Sequence, residues 1–101
     1  MDEVLLEDLK NHLNITWSDQ ATDQRVWALG ENGMAYLDLK RGAPADYHVP
    51  GLPRSLLMDY VRYARDEALD VFENNYQPLI NAMRNESRVI QRVESSQPAQ
   101  P

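Results

Sequence analysis

Residues 56–65 read Leu56-Leu57-Met58-Asp59-Tyr60-Val61-Arg62-Tyr63-Ala64-Arg65 and carry the clearest helical pattern in the chain. Successive positions of an α-helix are about 100° apart, so residues three and four apart share a face. One face of this segment and its continuation is apolar, with Leu57, Tyr60, Val61, Ala64, Ala68, Val71 and Phe72. The opposite face is acidic, with Asp59, Asp66, Asp70 and Glu73. The pattern predicts one two-faced helix that begins at Pro53 and weakens at Asn74-Asn75, with its apolar face in the core.

A second amphipathic helix is predicted from about Asp19 to Lys40. Its apolar face carries Val26, Leu29, Gly30, Gly33, Tyr36 and Leu37. Glycine inside a helix costs up to about 1 kcal/mol against alanine, so two glycines on a buried face indicate a notch for a neighbouring backbone or ring. A glycine loop that binds phosphate is disfavoured, since the strand-turn-helix context and a following Lys-Ser or Lys-Thr are missing. The small Ala64 and Ala68 predict that the third helix packs closely on the second.

The remaining segments predict two further helices and two irregular regions. The first helix runs from Glu3 to Leu13 and the fourth from Pro78 to Glu94, each with apolar residues at helical spacing. The segment Gly42 to Pro53 contains two glycines and three prolines. It predicts a loop with room only for a short extended piece around Asp46 to Val49. Thr16 and Ser18 offer side-chain oxygens to cap the second helix.

We therefore predict an all-α protein, a small helical bundle of three to four helices. The second and third helices form a long antiparallel pair joined by the Pro/Gly-rich loop, with the first helix packed across them and the fourth extending outward. Residues 1–94 form a single domain, and residues 95–101 form a flexible tail of Ser, Gln, Pro and Ala. The predicted core contains Val26, Leu29, Gly30, Gly33, Leu37, Leu57, Tyr60, Val61, Ala64, Ala68 and Phe72.

Composition limits the classes of protein to which the chain can belong. Its 101 residues suffice for one modest core, and the absence of cysteine removes disulfides and thiolate metal sites. No apolar run approaches the roughly 20 residues that span a bilayer. The formal net charge of −6 argues against a dedicated nucleic-acid binder, which presents a basic face to phosphates. The negative charge can also simply maintain solubility.

Two sets of side chains are candidates for contacts with other subunits. Trp27 and Met34 lie seven residues apart at one edge of the second helix, where they form either the margin of the core or part of a subunit interface. The second set is a stripe on the fourth helix at four-residue spacing, Arg84, Arg88 and Arg92. These arginines can pair with glutamates of the same helix, remain solvated, or meet the acidic face of a neighbouring subunit.

Catalytic, cofactor and metal sites are not expected. His12 has Asp8 one turn earlier on its helix, and His48 lies in the loop without an assignable role. Neither histidine has a nucleophile or a second metal ligand at a suitable spacing. The carboxylates at positions 67, 70 and 73 predict a solvated face, because the Glu-x-x-His motif of four-helix metal proteins is missing. We do not expect an enzyme.

The order of these segments resembles the small head-to-tail connector (adaptor) proteins of long-tailed bacteriophages. The resemblance rests on a short acidic helix ending His12-Leu13-Asn14-Ile15, the turn Ile15-Thr16-Trp17, a helix with Gly30, Gly33 and Tyr36-Leu37, the segment 56–65, and Asn74-Asn75-Tyr76. It covers roughly residues 3 to 83 and is carried by order and spacing, since each motif alone is common. The loop 42–53 and the residues beyond Met83 match nothing in the family pattern.

The resemblance implies a structural virion protein without enzymatic activity. Connectors form a ring, a dodecamer in the virion, that lies under the portal protein, continues the DNA channel and provides the platform for the next neck, stopper or tail protein. DNA passes through such a ring without specific binding, and no membrane is involved. The expected location is the virion neck between head and tail, after assembly in the host cytoplasm. The alternative is a small acidic helical protein–protein interaction module unrelated to virions.

Overall fold

The computed structural model of the protein contains four α-helices within residues 1–96. It describes residues 1–96, with side chains as far as residue 92. The helices are α1 (Glu3–His12), α2 (Gln20–Arg41), α3 (Leu52–Arg65) and α4 (Leu69–Ser96). Residues 1–96 contain no strand, which confirms the predicted all-α bundle. The predicted tail begins inside α4, because this helix includes Ser95 and Ser96, and the rest of the tail lies outside the described residues.

Two aspartates begin the first two helices. Asp2 Oδ1 accepts a hydrogen bond from Leu5 N at 2.9 Å, and Asp19 Oδ2 accepts one from Thr22 N at 3.1 Å. Each bond satisfies an amide that a helix leaves unpaired at its start. The cap of α2 is therefore Asp19 rather than either of the two upstream hydroxyl residues expected from the sequence.

Tyr47 holds the connection between α2 and α3 against the body of the protein. Its ring is buried, and its hydroxyl donates to Asp38 Oδ1 at 2.6 Å. Burial and this hydrogen bond raise the pKa of Tyr47. On the other side, the Arg54 guanidinium donates to Tyr47 O at 2.9 Å. The extended piece expected in this segment is instead a turn at residues 47–48.

The third helix predicted from the sequence is two helices. α3 ends at Arg65, residues 66–67 form a turn in which Glu67 adopts a φ of 56°, and α4 begins at Leu69. The prediction that Pro78 begins a fourth helix was wrong, because Pro78 lies inside α4. Val71, expected in the core, is exposed on α4.

The core draws on all four helices. Eight of the eleven predicted core residues are buried, namely Val26, Gly30, Gly33, Leu37, Leu57, Tyr60, Val61 and Phe72. The other three, Leu29, Ala64 and Ala68, are half-buried, and Ala68 lies in the connection before α4. The core also includes leucines of α1 and Ile80 and Met83 of α4.

The two glycines of α2 lie against different neighbours. A β-carbon at Gly33 would lie 2.8 Å from Leu57 Cδ1 and from Tyr60 Cδ1, so α3 occupies the space at this position. A β-carbon at Gly30 would meet the thioether of Met1 and lie 3.0 Å from Leu9 Cδ1, so this position serves the N-terminal segment. The expected notch is therefore two notches on one helix face.

Replacement of the two glycines by alanine tests these notches. Alanine favours a helix by about 1 kcal/mol over glycine at either position. At Gly33 the tyrosine ring cannot move without disturbing its own contacts, so we expect Gly33→Ala to lower the free energy of unfolding by roughly 1–2 kcal/mol. At Gly30 the flexible Met1 side chain can move aside, so Gly30→Ala should cost less. Urea denaturation measures both, and equal losses would contradict this assignment.

The capping of α2 by Asp19 predicts how the stability of the protein changes at acidic pH. The hydrogen bonds from Thr22 lower the pKa of Asp19 below its usual 3.8. The capping contribution is therefore present above that value and is lost as the pH falls through the lower pKa of the folded state. Asparagine caps equally well without titrating. We expect Asp19→Asn to match the unchanged protein in urea denaturation at pH 7 and to lose less stability at about pH 2.5; identical losses would show that Asp19 does not cap.

Candidate interaction surfaces

A cluster of aromatic rings anchors α4 to the other helices. Phe72 is fully buried, stacks on Tyr76 with ring centroids 4.7 Å apart, and meets Tyr60 edge-on at 5.6 Å. Tyr36 of α2 and Tyr63 of α3 complete the cluster. Aromatic pairs of this kind add about 0.5–1.5 kcal/mol each beyond the area they bury. The cluster therefore fixes the start of α4 against both α2 and α3.

The predicted acidic face is divided by the break between α3 and α4. Tyr36 Oη donates to Glu73 Oε1 at 2.8 Å, and burial together with this bond raises the pKa of Tyr36. Burial, with a contribution from the Asp59 carboxylate, raises the pKa of Tyr76 to about 12. Asp59 and Glu73 thus take part in contacts between helices. The other two members of the predicted face, at positions 66 and 70, are exposed.

Arginines from distant parts of the chain donate to carbonyl groups at the ends of helices. Arg65 Nη1 donates to Leu13 O at 3.2 Å after α1, and Arg84 Nε donates to Lys40 O at 2.8 Å near the end of α2. A helix leaves its last carbonyls unpaired and carries partial negative charge there, so a guanidinium stabilises it. The predicted arginine stripe is therefore not uniform. Arg84 serves the fold, whereas the side chains at positions 88 and 92 are exposed.

One candidate surface, which we call the basic groove, lies between the end of α2 and the middle of α4. Its volume is about 290 Å³. It is lined by Leu39, Lys40, Arg41, Gly42, Arg84, Arg88 and Gln91. Four of these residues are cationic and none is acidic. Leu39 is 81% exposed, the highest value among the exposed large hydrophobic residues of the described chain. The groove therefore combines a solvent-facing aliphatic side chain with concentrated positive charge in a protein whose net charge is negative.

A second candidate surface, the Trp17 pocket, lies near the opposite end of α2. It has a volume of about 330 Å³ and is lined by Ile15, Trp17, Thr22, Arg25, Val26, Leu29, Arg65 and Asp66. The Trp17 side chain is 49% exposed. Val26 and Leu39 are thirteen positions apart, or about 20 Å along a helix. The two surfaces therefore lie well apart on each molecule.

Three exposed carboxylates follow Arg65 closely in the chain, and the first of them lines the Trp17 pocket. They are Asp66 and Glu67 in the turn between α3 and α4, and Asp70 in the first turn of α4. We call this group the acidic turn. None of the three forms an ion pair within the part of the chain that the structure describes. The acidic turn is therefore available to a cationic partner.

The outer side of α4 forms a third, apolar surface. Val71, Leu79, Val89 and Ile90 are between 41% and 58% exposed. Leu79 and Ile90 are apolar residues of the predicted fourth helix, and Met83 between them is buried. Single exposed aliphatic residues are ordinary, whereas a contiguous apolar patch indicates a contact surface.

Trp27 and Met34 lie at the margin of the core. Both are half-buried and pack against the buried cluster. Trp27 Nε1 donates to Glu31 on its own helix, and Met34 O lies 3.2 Å from Tyr47 Oη. These positions correspond to the core-margin alternative, and neither residue lines the basic groove or the Trp17 pocket.

Sequence reasoning missed Trp17 and Leu39 as surface residues. Leu39 lies on the outer face of α2, about 125° from the centre of the apolar face at 100° per residue, and a helical projection would have shown it. Trp17 was treated as part of a turn, because no periodicity distinguishes an exposed aromatic residue from a buried one in an irregular segment.

The histidines make different contacts from those expected. His12 Nε2 lies 3.3 Å from Asp59 Oδ1, while Asp8 instead pairs with an arginine of α3. His48 Nε2 lies 2.8 Å from Asp2 Oδ2, beside the cap of α1. Within residues 1–96, no group of three or more histidine or acidic side chains could hold a metal ion.

Two further observations concern the chain as a whole. None of the helices in the described residues is both long and apolar enough to cross a membrane. Comparison with protein-family models, with curated proteins and with solved structures found no match to this chain.

The division of the arginine stripe can be tested by alanine substitution. Arg84→Ala removes a charged donor from the Lys40 carbonyl, and we expect it to lower the free energy of unfolding by about 1–2 kcal/mol. Arg88→Ala is the matched control, four residues later on the same helix, and should change it by less than about 0.5 kcal/mol. Urea denaturation of both variants measures the difference. A larger loss for Arg88→Ala would contradict the structural role of Arg84.

Proposed function

We propose that the protein is a head-to-tail connector of a long-tailed bacteriophage, a structural protein that forms a ring beneath the portal. The observation that carries this proposal is the pair of unlike surfaces toward opposite ends of α2. A ring of identical subunits needs two different and complementary surfaces on each subunit. A two-fold dimer would need one surface that is complementary to itself. The basic groove and the Trp17 pocket with its acidic turn have the character that a ring requires.

The order of elements also supports the proposal. The resemblance to connectors rests on a short acidic helix, a helix with two glycines and a tyrosine-rich helix, and these segments form α1, α2 and α3. In the fold, each glycine of α2 accommodates a neighbour from one of the other two segments. The three segments that carry the resemblance therefore pack against each other at the two glycines.

The third surface supplies a site for neighbours outside the ring. The exposed aliphatic residues of α4 would contact the portal above or the next neck, stopper or tail protein below. The role is mechanical and requires no chemistry from the side chains. The net charge of −6 suits a ring through which DNA passes without being bound specifically. In the proposed setting the ring is a dodecamer at the virion neck, assembled in the host cytoplasm.

A second candidate function is a small acidic interaction module unrelated to virions. The exposed apolar side of α4 favours it, because one such surface suffices for one protein partner and no ring is needed. This alternative leaves the two surfaces of α2 without a role. The two functions differ in the phenotype that loss of the protein would cause.

Deletion of the gene from the phage that encodes the chain tests the proposal. A connector joins the filled head to the tail, so we expect DNA-filled heads and separate tails by electron microscopy, with joining restored when the gene is supplied on a plasmid. Gold-labelled antibody on complete particles should bind at the neck. Particles that assemble normally after deletion would overturn the connector function and favour the interaction module.

A further inference from the structure

We infer that Leu39 and the basic groove of one copy bind the Trp17 pocket and the acidic turn of the next copy. This inference rests on the proposed function, because it names the surfaces through which ring subunits join. It commits to a second copy of this chain as the partner of both surfaces.

Apolar complementarity is the first step of the argument. Leu39 projects from α2 with 81% of its surface exposed, so a partner that covers it removes a complete aliphatic side chain from water. The Trp17 pocket is lined by three aliphatic residues, Ile15, Val26 and Leu29, together with the half-exposed indole. A leucine is small compared with a pocket of about 330 Å³. Binding pockets are commonly lined by hydrophobic and aromatic side chains together with a few polar groups.

Charge complementarity is the second step. Lys40 and Arg88 of the groove make no ion pair in residues 1–92, and the three carboxylates of the acidic turn make none either. Arg41 donates to carbonyls of the next segment, and Arg84 donates to Lys40 O, but both keep their positive charge. Opposite charge around an apolar contact fixes its orientation and excludes wrong partners.

Two cationic residues, Arg25 and Arg65, line the Trp17 pocket. Their charge would repel the positive charge of the basic groove. Both are engaged within the chain, since Arg65 donates to Leu13 O and Arg25 lies 3.5 Å from Arg65 O. The acidic turn adds three carboxylates against these two cations. Within the pocket itself only Asp66 opposes Arg25 and Arg65, so the attraction of the groove depends on Glu67 and Asp70, which follow Asp66 in the chain.

The spacing of the two surfaces is the third step. Because they lie about 20 Å apart along α2, one copy cannot place its own Leu39 in its own Trp17 pocket. Each copy can use both surfaces at once with two different neighbours. Such contacts are heterologous, so they continue from copy to copy.

Cysteine cross-linking tests the pairing directly, because the chain contains no cysteine. One variant carries Gln91→Cys in the groove, and the other carries Ser18→Cys beside Trp17, both at exposed positions. With a short bismaleimide, we expect an equal mixture of the two variants to form cross-linked dimers, while neither variant cross-links to itself. Self-linking of either variant would show a two-fold contact and overturn the inference.

Substitutions on the two surfaces measure the contributions of the contact. Leu39→Gln should raise the concentration for half-maximal cross-linking of the same mixture at least tenfold. Val4→Gln is the matched control, since Val4 is 64% exposed on α1 and lies on neither surface. Arg88→Glu and Asp70→Arg should each weaken cross-linking, and combining both in one chain should restore it. Circular dichroism should show unchanged helix content in every variant, and equal effects of Leu39→Gln and Val4→Gln would overturn the inference.

The two proposals fail in different ways. If the mixture forms no cross-link at protein concentrations up to the millimolar range, the paired surfaces are wrong, whatever larger species sedimentation reveals. The connector function is decided separately by the deletion phenotype. Heads and tails that remain separate after deletion, together with a failed cross-link, would keep the connector function and assign its contact to other surfaces.

Discussion

Tyr60 lies against the backbone of α2 at Gly33, where a β-carbon would come within 2.8 Å of its ring. This close approach places the ring where it can contact Tyr36 and the edge of Phe72, with centroids 5.3 Å and 5.6 Å away. Phe72 is the first buried aromatic residue of α4, so the position of its ring determines the direction in which that helix runs. Because α4 forms one wall of the basic groove, the shape of the groove also depends on the close packing of Tyr60 against Gly33.

The parts of this fold that the sequence predicts are those in which local chemistry agrees with the final structure. Gly42 ends α2 with a φ of 86°, a conformation that glycine adopts without strain, and the periodic leucines of α1 are buried. The break between α3 and α4 was missed because it contains neither glycine nor proline. Glu67 adopts the left-handed conformation there, at a cost that the aromatic contacts of α4 offset.

At Pro78 the sequence predicted the start of a new helix, whereas the structure continues α4 through this residue. Pro78 points away from the side of α4 that buries Phe72 and Ile80, so the backbone hydrogen bond that it cannot donate is lost on the solvent side. The arginine contacts at the helix ends were also beyond sequence reasoning. The donors and acceptors are 44 and 52 residues apart, and no local pattern relates them. For the same reason Arg84 could not be distinguished from Arg88 in the predicted stripe.

The two exposed sides of α4 point in different directions. Arg84 and Arg88 face the basic groove, whereas Val71 and Val89 are displaced by about 100° or more around the helix. Heterologous contacts close into a ring only if the rotation between neighbours divides a full turn, which for twelve copies is about 30° per step. A contact through the groove would leave the side with Val71 and Val89 uncovered on every subunit. In the proposed connector, assembly of the ring and attachment to its neighbours would then use different side chains, so each contact could change without altering the other.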